Sequence, residues 1–121
     1  MKVEAKTFHS IEIEDSLDDF RPADISNFGT WIRVGIGTSG SPAEDNFEIL
    51  VCTPTWLDSY IEGEKDGVAW GRHMLIVSHY DVDKIKRAVE RLVSRCTSDD
   101  WATTAQKIGR FAQWEFEDYA A

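Results

Sequence analysis

The sequence predicts an α+β fold: an antiparallel sheet of about four or more strands, with two C-terminal helices packed on one face. Three observations carry this. Apolar and polar residues alternate with period two in residues 2–14 and 30–36, whereas the apolar residues after position 81 recur at spacings of three and four. Runs of strands followed by runs of helices are the α+β pattern. The 121 residues, 42% of them apolar, suffice for one core and are short for two, so residues 1–121 are expected to form a single domain.

In residues 2 to 14, Val3, Ala5 and Thr7 alternate with Lys2, Glu4 and Lys6, and Ile11 and Ile13 with Glu12 and Glu14. One or two strands are expected there. Glu12 to Asp19 holds five acids and no base, and such like charges belong in a solvated loop or at an exposed edge. Pro22 and Asn27 extend the loop to about residue 28. Thr30 to Ile36 reads as a strand with Ile32, Val34 and Ile36 on one face and Trp31, Arg33 and Gly35 on the other. A turn over Gly37 to Pro42 and a strand from Phe47 to Thr53 complete an antiparallel hairpin. Pro54 stops that strand, and Thr55 to Tyr60 reads as a short helix with Thr55 as its cap. Glu62 to Gly71, with three glycines, is a loop, and Arg72 to Ser78 a fourth strand.

Two helices follow. Asp81 caps the first, and Val82, Ile85, Val89, Leu92 and Cys96 make one apolar stripe. Lys84, Lys86, Arg87, Arg91 and Arg95 cover its outer face, and the bases in its last turns suit the helix dipole. Thr97 or Ser98 is expected to cap the second helix, with Asp99 and Asp100 in its first turn and a stripe of Trp101, Ala105, Ile108 and Phe111 or Ala112. No Gly or Pro separates Trp114 to Tyr119 from the preceding Arg110 to Gln113, so this segment either continues the helix or leaves as an extended tail.

Composition excludes several functions. Five Trp, six Phe and three Tyr exclude a disordered chain. The longest apolar runs, Ile49 to Cys52 and Met74 to Val77, fall far short of the ~20 residues of a membrane helix. Glu4, Lys6 and His9 stand where a signal peptide needs an apolar stretch, so the expected location is the cytoplasm. Twenty-two acids against 13 Lys and Arg give a net charge of −9. Residues 1–60 hold 11 acids and 4 bases, and residues 61–121 hold 11 and 9. Such a field repels phosphate, so nucleic acid is not the expected partner; two readings of it fit, that it speeds association with a cationic protein or that it simply keeps a small domain in solution. Cys52 and Cys96 lie in apolar patterns, and without a secretory signal they read as buried thiols.

No catalytic constellation stands out, and no metal or cofactor is expected. CxxC, HExxH and GxSxG do not occur. His73 and His79 would share a face of the fourth strand, but six residues of strand separate them by ~20 Å, too far for one zinc ion. Gly35, Gly37 and Gly40 precede a strand where a phosphate loop needs a helix. Asp99 and Asp100 are explained as helix-start residues. Glu115 and Glu117 alternate with Trp114, Phe116 and Tyr119. Two readings fit: a contact patch for a basic protein, or aromatics that plug the core beside solvated acids.

Four blocks then carry a resemblance: Asn27-Phe28-Gly29, FEILVCTPTWL from Phe47 to Leu57, GRHMLIVSHY from Gly71 to Tyr80, and WEFEDY from Trp114 to Tyr119. In this order and spacing, over about residues 3 to 119, the chain resembles immunity protein family eight of bacterial polymorphic toxin systems. CTPTWL and WEFEDY are the specific blocks. The resemblance implies a small cytoplasmic antidote, encoded beside a secreted toxin, which binds and blocks that toxin by stoichiometric occlusion and is not an enzyme. For a basic, nuclease-type toxin, the expected partner-binding residues are Glu12, Glu14, Asp15, Asp18 and Asp19, with a second patch at Glu115, Glu117 and Asp118. Two other readings stand beside it. One is a small enzyme or small-molecule binder using a pocket lined by His73, His79, Cys52 or Trp56. The other is a structural subunit whose aromatics form a homodimer.

Overall fold

The computed structural model describes residues 1–117. In chain order the elements are β1 (Val3–Ser10), β2 (Asp15–Ser16), β3 (Gly29–Thr38), β4 (Asp45–Cys52), α1 (Pro54–Glu62), β5 (Met74–Ile76), α2 (Val82–Cys96), α3 (Trp101–Ile108) and β6 (Gln113–Trp114). The strands form one six-stranded sheet in the order β2-β1-β3-β4-β5. The outer edge of β4 is shared: β6 pairs with Phe47 and Glu48, and β5 with Leu50, Val51 and Cys52. Every pairing is antiparallel except β4 with β5. The α+β class stands, and the parallel pair follows from the chain between the two strands. A parallel neighbour needs a crossover connection, here α1 and the loop behind it.

One face of the sheet and the two later helices make the core. Register places Ile32 opposite Ile49 and Val34 opposite Phe47, with Ile36 and Val51 further along the same face. All six are buried. Ile85, Val89, Val93 and Cys96 of α2 and Ala105 and Ile108 of α3 join them in one cluster. Each such Ile or Val, fully buried, contributes ~1.5–3 kcal/mol. A second group closes one end of the sheet. The Tyr80 ring meets Phe20 and Phe28 edge-on, at 5.6 and 5.4 Å, so the loop before β3 is pinned to the start of α2.

The structure revises several boundaries. β1 stops at Ser10, and residues 11–14 turn the chain, with Glu14 at φ 53°. A register shift between Ala5 and Thr7 breaks the alternation, so Thr7 is exposed and Phe8 packs on the core. Helix α1 begins at Pro54, not at a Thr55 cap; Thr53 precedes it, and its hydroxyl faces inward instead, accepting from the Phe28 N–H at 3.1 Å. The fourth strand shrinks from seven residues to Met74–Ile76. His73 sits before it at φ 60° and His79 lies beyond it, so the two do not share a strand face. Asp81 caps α2 as expected. Asp100, not Thr97 or Ser98, caps α3, accepting from the Thr103 N–H at 2.8 Å. Helix α3 ends at Ile108, leaving Phe111 exposed. Residues 113–114 leave the helix and pair with β4, so the segment is neither a continued helix nor a free tail.

Candidate functional site

A protein that acts by binding needs exposed groups held in a fixed arrangement. The acidic hairpin is one set. Glu12, Glu14, Asp15, Asp18 and Asp19 are all exposed. The turn over residues 11–14 carries Glu12 and Glu14, β2 carries Asp15, and a single 3-10 turn over Leu17–Asp19, anchored by fully buried Leu17, carries Asp18 and Asp19. The Asp15 carboxylate accepts from the Ser16 N–H at 2.7 Å, and Asp18 pairs with Lys86 of α2 at 2.7 Å.

The second acidic set lies across the sheet. Strands β1, β3 and β4 separate β2 from β6, so ~20 Å of sheet divides the two sets and the fold does not merge them. Glu115 accepts from the Asn46 N–H at 2.9 Å. Glu117 pairs with Arg72 at 2.7 Å and stands 3.5 Å from Nε2 of buried His73. Both carboxylates therefore fasten residues 115–117 to the sheet and to the turn before β5. Trp114 stacks on Phe47 at 6.3 Å and packs against the core, whereas Phe116 meets the Trp114 ring edge-on and is exposed. Asp118 lies outside the described residues.

His73, His79, Cys52 and Trp56 each have a separate setting. Cys52 is fully buried, and burial pushes its thiol above the ordinary range; Cys96 shifts the same way for the same reason. Trp56 stacks on Tyr60 at 5.1 Å, and exposed His79 shares a hydrogen bond with the neighbouring Ser78 hydroxyl at 3.0 Å. Asp100 titrates low, chiefly because its carboxylate accepts from the Thr103 backbone and then from the Thr103 hydroxyl. Among the described residues no group of three or more His, Cys, Asp or Glu could hold a metal ion, and no helix is long and apolar enough to cross a membrane.

A third set was not singled out from the sequence. Trp70 is 93% exposed and Val68 69% exposed, both in the loop after α1; Ile76 is 53% exposed, Trp31 38% and Tyr60 37%. The signal was present in two places. Trp31 falls on the strand face opposite Ile32, and Trp70 stands in a polar, glycine-rich stretch that has no core to join.

Comparison with known proteins bears on what these surfaces do. No curated protein and no solved structure matches the chain. A family model described as immunity protein 8 matches residues 5–119, which takes in every helix and strand among the described residues apart from the first two residues of β1. The chain belongs to the immunity protein 8 family.

Proposed function

We propose that this protein is a stoichiometric antidote that binds the toxin domain encoded beside it and occludes the toxin's working surface. Family membership over residues 5–119 is the observation that carries the reading. The charge supports it. A toxin acting on a polyanion presents a basic surface, and a chain of net charge −9 is steered toward such a surface from a distance. In this reading Glu12, Glu14, Asp15, Asp18 and Asp19 guide the approach, Glu115 and Glu117 add to the field from the opposite edge, and Asp118 adds its charge. The chain turns over no substrate and uses no cofactor. It acts in the cytoplasm of the producing cell, with a protein as partner and no nucleic acid or membrane.

The test is co-expression. Cells making the adjacent toxin domain should survive when they also make this chain, and the two purified proteins should elute as a one-to-one complex by light scattering. Survival without any complex would replace occlusion with an indirect effect. The absence of both survival and a complex would remove the antidote reading altogether.

A further inference from the structure

We propose that the centre of the toxin contact is the aromatic end of the sheet's second face, around Trp31, Tyr60 and Trp70, and that it takes a basic protein surface with an apolar hollow. This deepens the antidote reading and rests on it.

The geometry assembles this face from three elements. Directly paired residues project to the same side of a sheet. Trp31 pairs with Leu50 and Leu50 with Met74; one step further along, Gly29 pairs with Cys52 and Cys52 with Ile76. All six positions look away from the helices that cover the core. Helix α1 lies over this side through Trp56, whose ring fills the space above Gly29: a Cβ there would stand 2.2 Å from the indole. Tyr60 stacks on that indole and keeps an exposed side. Helix α1 itself contains no buried residue. Trp31 and Ile76 therefore share a side of the sheet with the anchored Trp56 and its partner Tyr60, and the loop that runs from α1 to β5 carries the exposed Trp70.

Of these rings, Trp70 does the least for the monomer. A Trp 93% exposed buries almost nothing. Trp and Tyr are the residues that most often dominate protein-contact energies, because they bring large rigid area with few rotamers to fix. The surroundings select the partner. The Ile11 N–H donates to the Trp31 carbonyl at 3.2 Å, so the acidic hairpin, with Glu12, Glu14 and Asp15, starts beside Trp31. From the other flank, α1 and the turn after it contribute Asp58, Glu62, Glu64 and Asp66 against Lys65 alone. An apolar centre with an acidic rim is complementary to a basic rim around an apolar hollow. A second copy of this chain would bring acid against acid. The C-terminal carboxylates are already engaged: Glu115 binds Asn46, and Glu117 binds Arg72.

The experiment compares the full chain with Trp70→Ser, Tyr60→Ser and Trp31→Thr variants, titrated calorimetrically against the toxin domain encoded beside this chain. Trp70→Ser carries the test, since its ring is almost wholly exposed and the variant should keep the parent's urea midpoint. Binding by Trp70→Ser, alone or with Tyr60→Ser, should weaken ~30-fold or more, as for central interface aromatics. Phe111→Ser, an exposed ring on the helix-covered side, should bind as the parent does. If the parent binds and all three variants stay within about threefold of it, this face is not the contact centre and the antidote reading survives. If the parent does not bind, both fail. If sedimentation shows a dimer of the parent that Trp70→Ser dissolves, the face belongs to a second copy and the proposal is overturned.

Discussion

One oxygen of Asp45 holds two indoles. Oδ2 accepts from Nε1 of Trp101 and from Nε1 of Trp114, each at 3.0 Å, and both rings lie against Phe47. A single carboxylate at the start of β4 thereby ties α3 and β6 to the sheet. Asp45→Ala would leave two partly buried N–H groups without their acceptor, while Asp45→Asn keeps a carbonyl in place. The expected loss for Asp45→Ala is ~2–3 kcal/mol, with a clearly smaller loss for Asp45→Asn, because an unmade hydrogen bond costs more than a weakened one. Urea unfolding followed by tryptophan fluorescence reads both; equal midpoints for parent and Asp45→Ala would mean the clamp contributes nothing.

Among the elements, α1 is held by a fit rather than by a buried stripe. Gly29 leaves room for Trp56, and any Cβ at residue 29 meets three ring atoms between 2.2 and 2.5 Å. Gly29→Ala should therefore destabilise by ~1–3 kcal/mol through overpacking, and Trp56→Leu in the same chain should recover part of that loss. A double-mutant cycle in urea measures the coupling; strictly additive losses would show that the two sites do not press on each other. The same joint explains what could be read from sequence. Asn27-Phe28-Gly29 meets CTPTWL in space, through Gly29 against Trp56 and Phe28 against Thr53. GRHMLIVSHY meets WEFEDY through Arg72 and His73 against Glu117. The four blocks that carry the family resemblance are thus two structural joints, so they disclose the fold and the family, not the contact surface. Core strands and α2 were legible because their periodicity runs over many residues. The β1 bulge, the left-handed His73 and the pairing of residues 113–114 with β4 depend on partners far along the chain, which no local pattern contains. The exposure of Trp70 is likewise a statement about what fails to pack on it.

At the scale of the whole molecule, the proposed reading divides the work of binding between charge and apolar surface. Residues 82–96 carry five bases and two acids, a net +3, although the chain carries −9. Helix α2 is thus a basic island that touches the acidic hairpin at one point, the Lys86–Asp18 pair, and in the proposed reading the remaining hairpin acids and the α1 flank turn a cationic partner toward the aromatic end before contact. Steering of this kind changes the association rate, while packed rings set how long the complex lasts. Neutralising Glu12, Glu14, Asp15 and Asp19 to their amides, with Asp18 left in place because it pairs with Lys86, separates the two effects. Association with the toxin domain should slow ~10-fold or more at low salt, and dissociation should stay unchanged. The gap between parent and variant should close as the Debye length contracts from ~30 Å at 0.01 M salt to ~8 Å at 0.15 M. Stopped-flow mixing at several salt concentrations measures this. An association rate that ignores both the substitutions and the salt would mean that the acids only keep the chain in solution, and that contact is found without guidance.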